Sequence, residues 1–129
     1  MKKFLLPIIL IFTLSGCGTE AGTYQNLTTE DAAKIIQTEK NIIILDVRTQ
    51  AEYDKKHIPN AVLLPIEELR KDNFELLPDK NQKILVYCWT GRRAEDSTKI
   101  LAEHGYKNVF NFGGLVDWKG EVEGTEVKN

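Results

Sequence analysis

The chain has 129 residues, 42% of them hydrophobic, 28% charged and 9% aromatic, with 17 basic against 19 acidic side chains and a formal charge of −2. This is the composition of one globular domain, not of a disordered tail, a collagen or a multi-pass membrane protein. The balance lacks the basic footprint that a phosphate backbone requires, so nucleic acid is not an expected partner. Two cysteines support neither a disulfide-rich miniprotein nor a four-thiolate zinc site.

The chain begins with Lys2 and Lys3 and then runs apolar from Phe4 to Leu14, apart from Thr13. That run is shorter than the ~20 residues a helix needs to cross a bilayer. It suits the central region of a secretory signal. Leu14-Ser15-Gly16-Cys17 resembles the bacterial lipobox, in which the cysteine is acylated and becomes the new first residue. Residues 1–16 are therefore expected to be a lipoprotein signal peptide, with Cys17 the lipidation site. A plain signal or a short anchor helix with an incidental cysteine is the competing reading. Residues 17–26 would form a short tether, in which the five residues Gly18 to Gly22 reach at most about 18 Å. The protein would then sit on the outer side of a bacterial membrane, in the cell envelope. With Cys17 carrying lipid, Cys88 is the remaining thiol, unpaired in an oxidising compartment.

Tyr24 opens a short edge strand. Thr28 with Asp31 reads as an N-cap and an acidic first turn, followed by Ala32, Ile35 and Ile36 on one helix face. Ile42 to Leu45 is a continuous β-branched apolar run, the mark of a strand covered on both faces. Thr49 with Glu52 reads as a capping box. Ala61 to Leu64 is a second apolar run, and Pro65 then opens a short helix carrying Ile66, Leu69 and Arg70. Ile84 to Tyr87 is a third run. A longer helix extends from Arg92 or Arg93 to His104, ended by Gly105 in the left-handed conformation. His104 lies in its last turn and is read as structural. Val109 to Phe112 is the last strand. Strands alternating with helices predict an α/β domain, a mainly parallel sheet with helices on both faces. Ligands in such sheets sit at the carboxyl ends of the strands.

After Tyr87 the chain reads Cys88-Trp89-Thr90-Gly91-Arg92-Arg93-Ala94. A cysteine at a strand end is followed by a tight turn and a helix start, whose backbone N–H groups can form a concavity for an anion. The helix N-terminus and two arginines favour the thiolate, and Gly91 permits the backbone angles of the curl. An isolated cysteine is more often a buried small hydrophobe; the glycine and the cationic neighbours argue here for a nucleophile. Cys88 is the candidate catalytic residue, and Trp89, Thr90, Gly91, Arg92 and Arg93 are candidates for binding the substrate, with Trp89 as a pocket wall. Arg92 and Arg93 could also be no more than a solvated helix start.

At these residues the chain resembles the rhodanese family of sulfurtransferases. Leu45-Asp46-Val47-Arg48 resembles the family's Asp-Val-Arg strand end, followed by the acidic-aromatic pair Glu52-Tyr53. His57-Ile58-Pro59-Asn60-Ala61 resembles its His-Ile-Pro-Gly-Ala segment, Cys88 to Arg93 its six-residue active loop, and Gly113-Gly114 with Trp118 its final element. The likeness runs from about Leu27 to Trp118, and the domain is assigned to residues 27–122, followed by a polar tail, 123–129. It implies a rhodanese-like three-layer fold with about five strands. It implies also a persulfide mechanism: Cys88 takes the outer sulfur of a small anion such as thiosulfate and passes it to cyanide or a thiol, with ping-pong kinetics. No separate cofactor is implied, and a monomer is expected. Asp46 and Arg48 are read as structural charges near the site, with Arg48 paired to Glu52. His57 orders its loop. Asn60 departs from the family glycine but tolerates the left-handed conformation.

Cell-cycle-type phosphatases and arsenate reductases use a related loop one residue longer, with arginine six positions after cysteine; here that position is Ala94. A non-catalytic binding module is a second alternative. A thiol–disulfide oxidoreductase would want a second cysteine where Gly91 stands. The two histidines and the thiol show no zinc-ligand spacing, and no glycine-rich dinucleotide fingerprint follows a strand.

Overall fold

The buried apolar runs become neighbouring strands at the middle of one sheet. The computed structural model describes residues 21–128. Its strands are Tyr24–Asn26 (β1), Ile42–Asp46 (β2), Val62–Leu63 (β3), Lys83–Cys88 (β4) and Val109–Gly114 (β5). They lie in the order β1-β5-β4-β2-β3, and all four pairings are parallel. The helices are Thr29–Thr38 (α1), Gln50–Lys55 (α2), Ile66–Arg70 (α3) and Arg92–Glu103 (α4). This is the expected parallel sheet of five strands.

Side chains alternate across the sheet. Ile84, Val86 and Cys88 of β4 pack with Leu69 of α3 and Leu101 of α4. Leu85 and Tyr87 of the same strand pack with Ala32 of α1, Ile58 and Phe112. The two-residue period of a strand thus divides the core between two helix layers. A fully buried strand offers no polar face, which is why β2 and β4 read as continuous apolar runs.

The local signals act where the chain places them. The Thr28 hydroxyl accepts from the Asp31 N–H at 3.1 Å. Thr49 and Glu52 form a reciprocal capping box on α2. Gly105 follows α4 with φ 86°, and Asn60 turns its loop at φ 67°.

Packing extends beyond the expected limits of 27–122 at both ends. The Gly22 N–H donates to Ala102 O at 2.7 Å, in the segment assigned to the tether. In the segment assigned to a polar tail, Glu123 forms an antiparallel bridge with His57. Thr125 and Glu126 donate their N–H groups to the carbonyls of Asp54 and Lys55. Residues 1–16 and Cys17 lie outside the described residues. Among the described residues, no helix is long and apolar enough to cross a membrane.

Candidate active site

Cys88 ends β4, the middle strand of the sheet, and is buried. The chain then passes through exposed Trp89 and Thr90 to Gly91, which caps α4 in the left-handed conformation at φ 108°. A residue with a Cβ is strained there. The curl turns the Gly91 N–H back onto the Cys88 sulfur, with N···Sγ 3.0 Å. The sulfur thus meets the N-cap amide of a twelve-residue helix, at the positive end of its dipole.

The end of β5 supports this loop from behind. Its register slips between Val86 and Cys88, so that Cys88 lies opposite Gly114. The N–H groups of Leu115 and Val116 then donate to the carbonyls of Cys88 and Trp89, at 3.0 and 3.1 Å. A Cβ on Gly114 would lie 2.0 Å from Trp89 O. In the final Gly-Gly element, Gly114 is thus required by the close approach of two backbones and Gly113 by its left-handed φ of 91°.

Arg93 lies beside Cys88, but its charge is compensated. Its guanidinium forks onto Glu52, Nη1–Oε2 2.8 Å and Nη2–Oε1 2.9 Å. This corrects the expected Arg48–Glu52 pair. The Arg93 hydrogen bonds hold the Glu52 carboxyl well below the usual range, at about 2. Because that group titrates near 4.5 when unfolded, the pair's stabilisation is complete above pH 4.5 and is lost as pH falls through about 2. Both side chains are about one-third exposed, and solvent screening leaves about 1 kcal/mol at most. The stability difference between wild type and Glu52→Gln, followed by denaturant titration, should therefore shrink between pH 4.5 and pH 2; a difference independent of pH would contradict the pairing. Arg92 is exposed and forms no ion pair among the described residues.

Arg48 instead pairs with its neighbour Asp46, Nη2–Oδ2 2.8 Å, with both side chains buried. Asp46 also accepts the Arg48 backbone N–H at 3.0 Å and the Tyr87 hydroxyl at 2.7 Å. Tyr87 in turn accepts the Ile58 N–H at 3.1 Å, and Arg48 Nη2 donates to Lys56 O at 2.6 Å. One closed network thus joins the ends of β2 and β4 to the segment around residues 56–58. Sequence reasoning did not single out Tyr87. The signal was present: a tyrosine in an otherwise aliphatic buried strand must find a partner for its hydroxyl.

Residues 28–121 match the family model described as the rhodanese-like domain. The chain belongs to the rhodanese-like family. It is 38% identical over 73 residues to the thiosulfate sulfurtransferase PspE of Escherichia coli, covering 57% of this chain and 70% of that protein. It is 34% identical over 104 residues to YrkF, a candidate sulfur carrier protein of Bacillus subtilis; the match covers 80% of this chain but only 55% of YrkF. A rhodanese-like domain from Anabaena, solved by NMR, superposes with a TM-score of 0.69 at 27% identity, covering 83% of this chain and 81% of that one. Relatives named thiosulfate sulfurtransferase are among the proteins it matches.

In this rhodanese-like domain, Cys88 at the end of β4 is followed by the turn Trp89 to Gly91 and by Arg92 and Arg93 in the first turn of α4, while Asp46 and Arg48 belong to the buried network. His57 stands apart: Nδ1 lies 2.6 Å from Tyr53 O and Nε2 3.1 Å from Glu123 Oε1, and the ring stacks on Tyr53 at 3.7 Å. These contacts tie it to α2 and to Glu123. His104 closes α4, with Nδ1 2.8 Å from Ile100 O. Neither histidine bonds to Cys88. Two cavities of about 560 Å³ flank Trp118, and neither is lined by Cys88 or by Trp89 to Arg93. Among the described residues, no group of three His, Cys, Asp or Glu side chains is placed to hold a metal ion.

Proposed function

We propose that this rhodanese-like protein transfers a sulfane sulfur from a small sulfur-containing anion such as thiosulfate to a thiol or cyanide, with the sulfur carried as a persulfide on Cys88. The observation that carries the reading is the Gly91 N–H donated to the Cys88 sulfur at 3.0 Å, at the mouth of a helix. The Cys88 thiolate attacks the outer sulfur of thiosulfate. The old S–S bond breaks and its electron pair leaves with sulfite. The acceptor then attacks the outer sulfur of the persulfide, and the Cys88 thiolate is released. Electrons balance over the two steps without an oxidant, reductant or metal. The covalent work belongs to Cys88. The Gly91 amide and the helix start stabilise charge on the sulfur, and Arg92 attracts the anion.

A phosphatase would need its arginine free to clamp a tetrahedral group. Arg93 comes one residue too early and is tied to Glu52. After treatment with thiosulfate, the intact mass should rise by one sulfur atom, located on Cys88, and cyanide should remove it. A protein that never gains sulfur but hydrolyses an aryl phosphate would replace this reading with the phosphatase one. A protein that does neither and binds a partner would be a binding module.

The protein is further proposed to act as a monomer held in the cell envelope by lipid on Cys17, on the strength of the Leu14-Ser15-Gly16-Cys17 motif. Cells fed a fatty-acid analogue should label the wild type and not Cys17→Ser; an unlabelled wild type would count against the anchor.

A further inference from the structure

We propose that Lys56 is an anion-binding residue for the sulfur donor, held at the rim of the active loop by Trp89. The inference rests on the sulfurtransferase reading and names the charge that captures its substrate.

Lys56 follows α2, and its backbone is fixed on several sides. Its N–H donates to Glu52 O at 3.2 Å. Its carbonyl accepts from Arg48 Nη2 at 2.6 Å. The next residue, His57, exchanges two backbone hydrogen bonds with Glu123, at 2.8 and 2.9 Å. From this anchored position the side chain extends over the indole of Trp89, the residue after Cys88, with Nζ 5.6 Å from the ring centroid.

The charge balance around the loop gives this contact its meaning. Arg93 is neutralised by Glu52, so the active loop itself offers one uncompensated side-chain cation, Arg92. The thiosulfate donor is a dianion. Lys56 forms no ion pair among the described residues. An aromatic face attracts an ammonium through its quadrupole without cancelling its net charge, as a carboxylate would. Lys56 is therefore localised without a carboxylate paired to it among the described residues. Lys56 is half-buried, and Trp89, over which its ammonium lies, is exposed. Sequence reasoning missed it because its partner lies more than thirty positions away, across the sheet.

The test is steady-state kinetics with thiosulfate, together with calorimetric binding of thiosulfate to the inert Cys88→Ser protein. Lys56→Gln should raise KM for thiosulfate roughly tenfold, the worth of one charge-assisted contact. It should leave kcat within about twofold. It should also flatten the dependence of KM on ionic strength. Lys56→Arg should restore most of the loss. Trp89→Leu should raise KM as well, and Lys56→Gln/Trp89→Leu should be no worse than the weaker single variant. In the Cys88→Ser background, Lys56→Gln should weaken thiosulfate binding by the same factor. Unchanged KM, salt dependence and binding in Lys56→Gln would overturn the inference while leaving sulfur transfer intact. A wild type that binds thiosulfate through Lys56 but takes no sulfur from it would do the reverse.

Discussion

Cys88→Ser should lose sulfur transfer to background, roughly 10⁴-fold or more, the scale on which enzymes lose activity with their nucleophile. Serine places an oxygen where the sulfur stands, but a hydroxyl forms no persulfide, so the first half-reaction has no product. The same substitution should leave the fold in place. The site is buried, yet the Gly91 N–H that meets the sulfur at 3.0 Å can donate to a hydroxyl as well. The new polar group is therefore not left unpaired, and its cost is about 1 kcal/mol. Two measurements check the pair of statements: intact mass after thiosulfate, which should show no added sulfur, and the denaturation midpoint, which should stay close to wild type. A variant that keeps its turnover would remove Cys88 from the mechanism, and the persulfide with it.

The largest effect on stability is expected at Asp46. Its carboxylate is fully buried and holds the Arg48 side chain, the Arg48 N–H and the Tyr87 hydroxyl. Asp46→Ala leaves the Arg48 guanidinium, 3% exposed, without its counter-charge, and leaves the Tyr87 hydroxyl without its acceptor. Removing one partner of a buried pair costs about 3–5 kcal/mol, because the remaining charge cannot reach water. That is a large share of the 5–15 kcal/mol or so that holds a domain together. Burial also pushes the Tyr87 phenol up, as does the charge of Asp46, so it stays a neutral donor across the working range. Replacing both charges together, as Asp46→Leu/Arg48→Met, should recover much of the loss, since no charge is then stranded. Denaturant unfolding of the single and double variants reads both numbers. A loss below about 1 kcal/mol for Asp46→Ala would show that water or another group already serves Arg48.

The network and the active loop are coupled through Tyr87 and Cys88, consecutive residues whose side chains point to opposite faces of β4. The polar network orders the strand end on one face, and the sulfur emerges on the other. A rigid strand therefore aims the thiol, and only the curl after it needs special backbone angles. This is the arrangement expected where precision matters: the chemistry is carried by a short loop fixed at both ends to regular structure.

The elements legible in the chain were those set by neighbours a few positions apart. The Thr28 cap, the Thr49–Glu52 box, the left-handed Asn60 and Gly105, and the buried runs of β2 and β4 all depend on interactions within about one helical turn or one strand period. The active loop was legible for the same reason: Cys88, Gly91 and the start of α4 span a single turn. The pairings that give the site its charge were not. Glu52 is four positions from Arg48 and 41 from Arg93, so sequence distance favoured the wrong partner. The parallel register that sets Asp46 beside Tyr87 turns Arg48 inward onto Asp46 and brings the first turn of α4 to Glu52. The same closure lays Lys56 over Trp89 and returns residues 123–126 to α2. Local pattern specified the strands, the caps and the tight turn after Cys88, because steric and hydrogen-bonding rules act along the chain. Which cation is spent on a carboxylate and which stays free for an anion was decided only by folding, because charges pair through space.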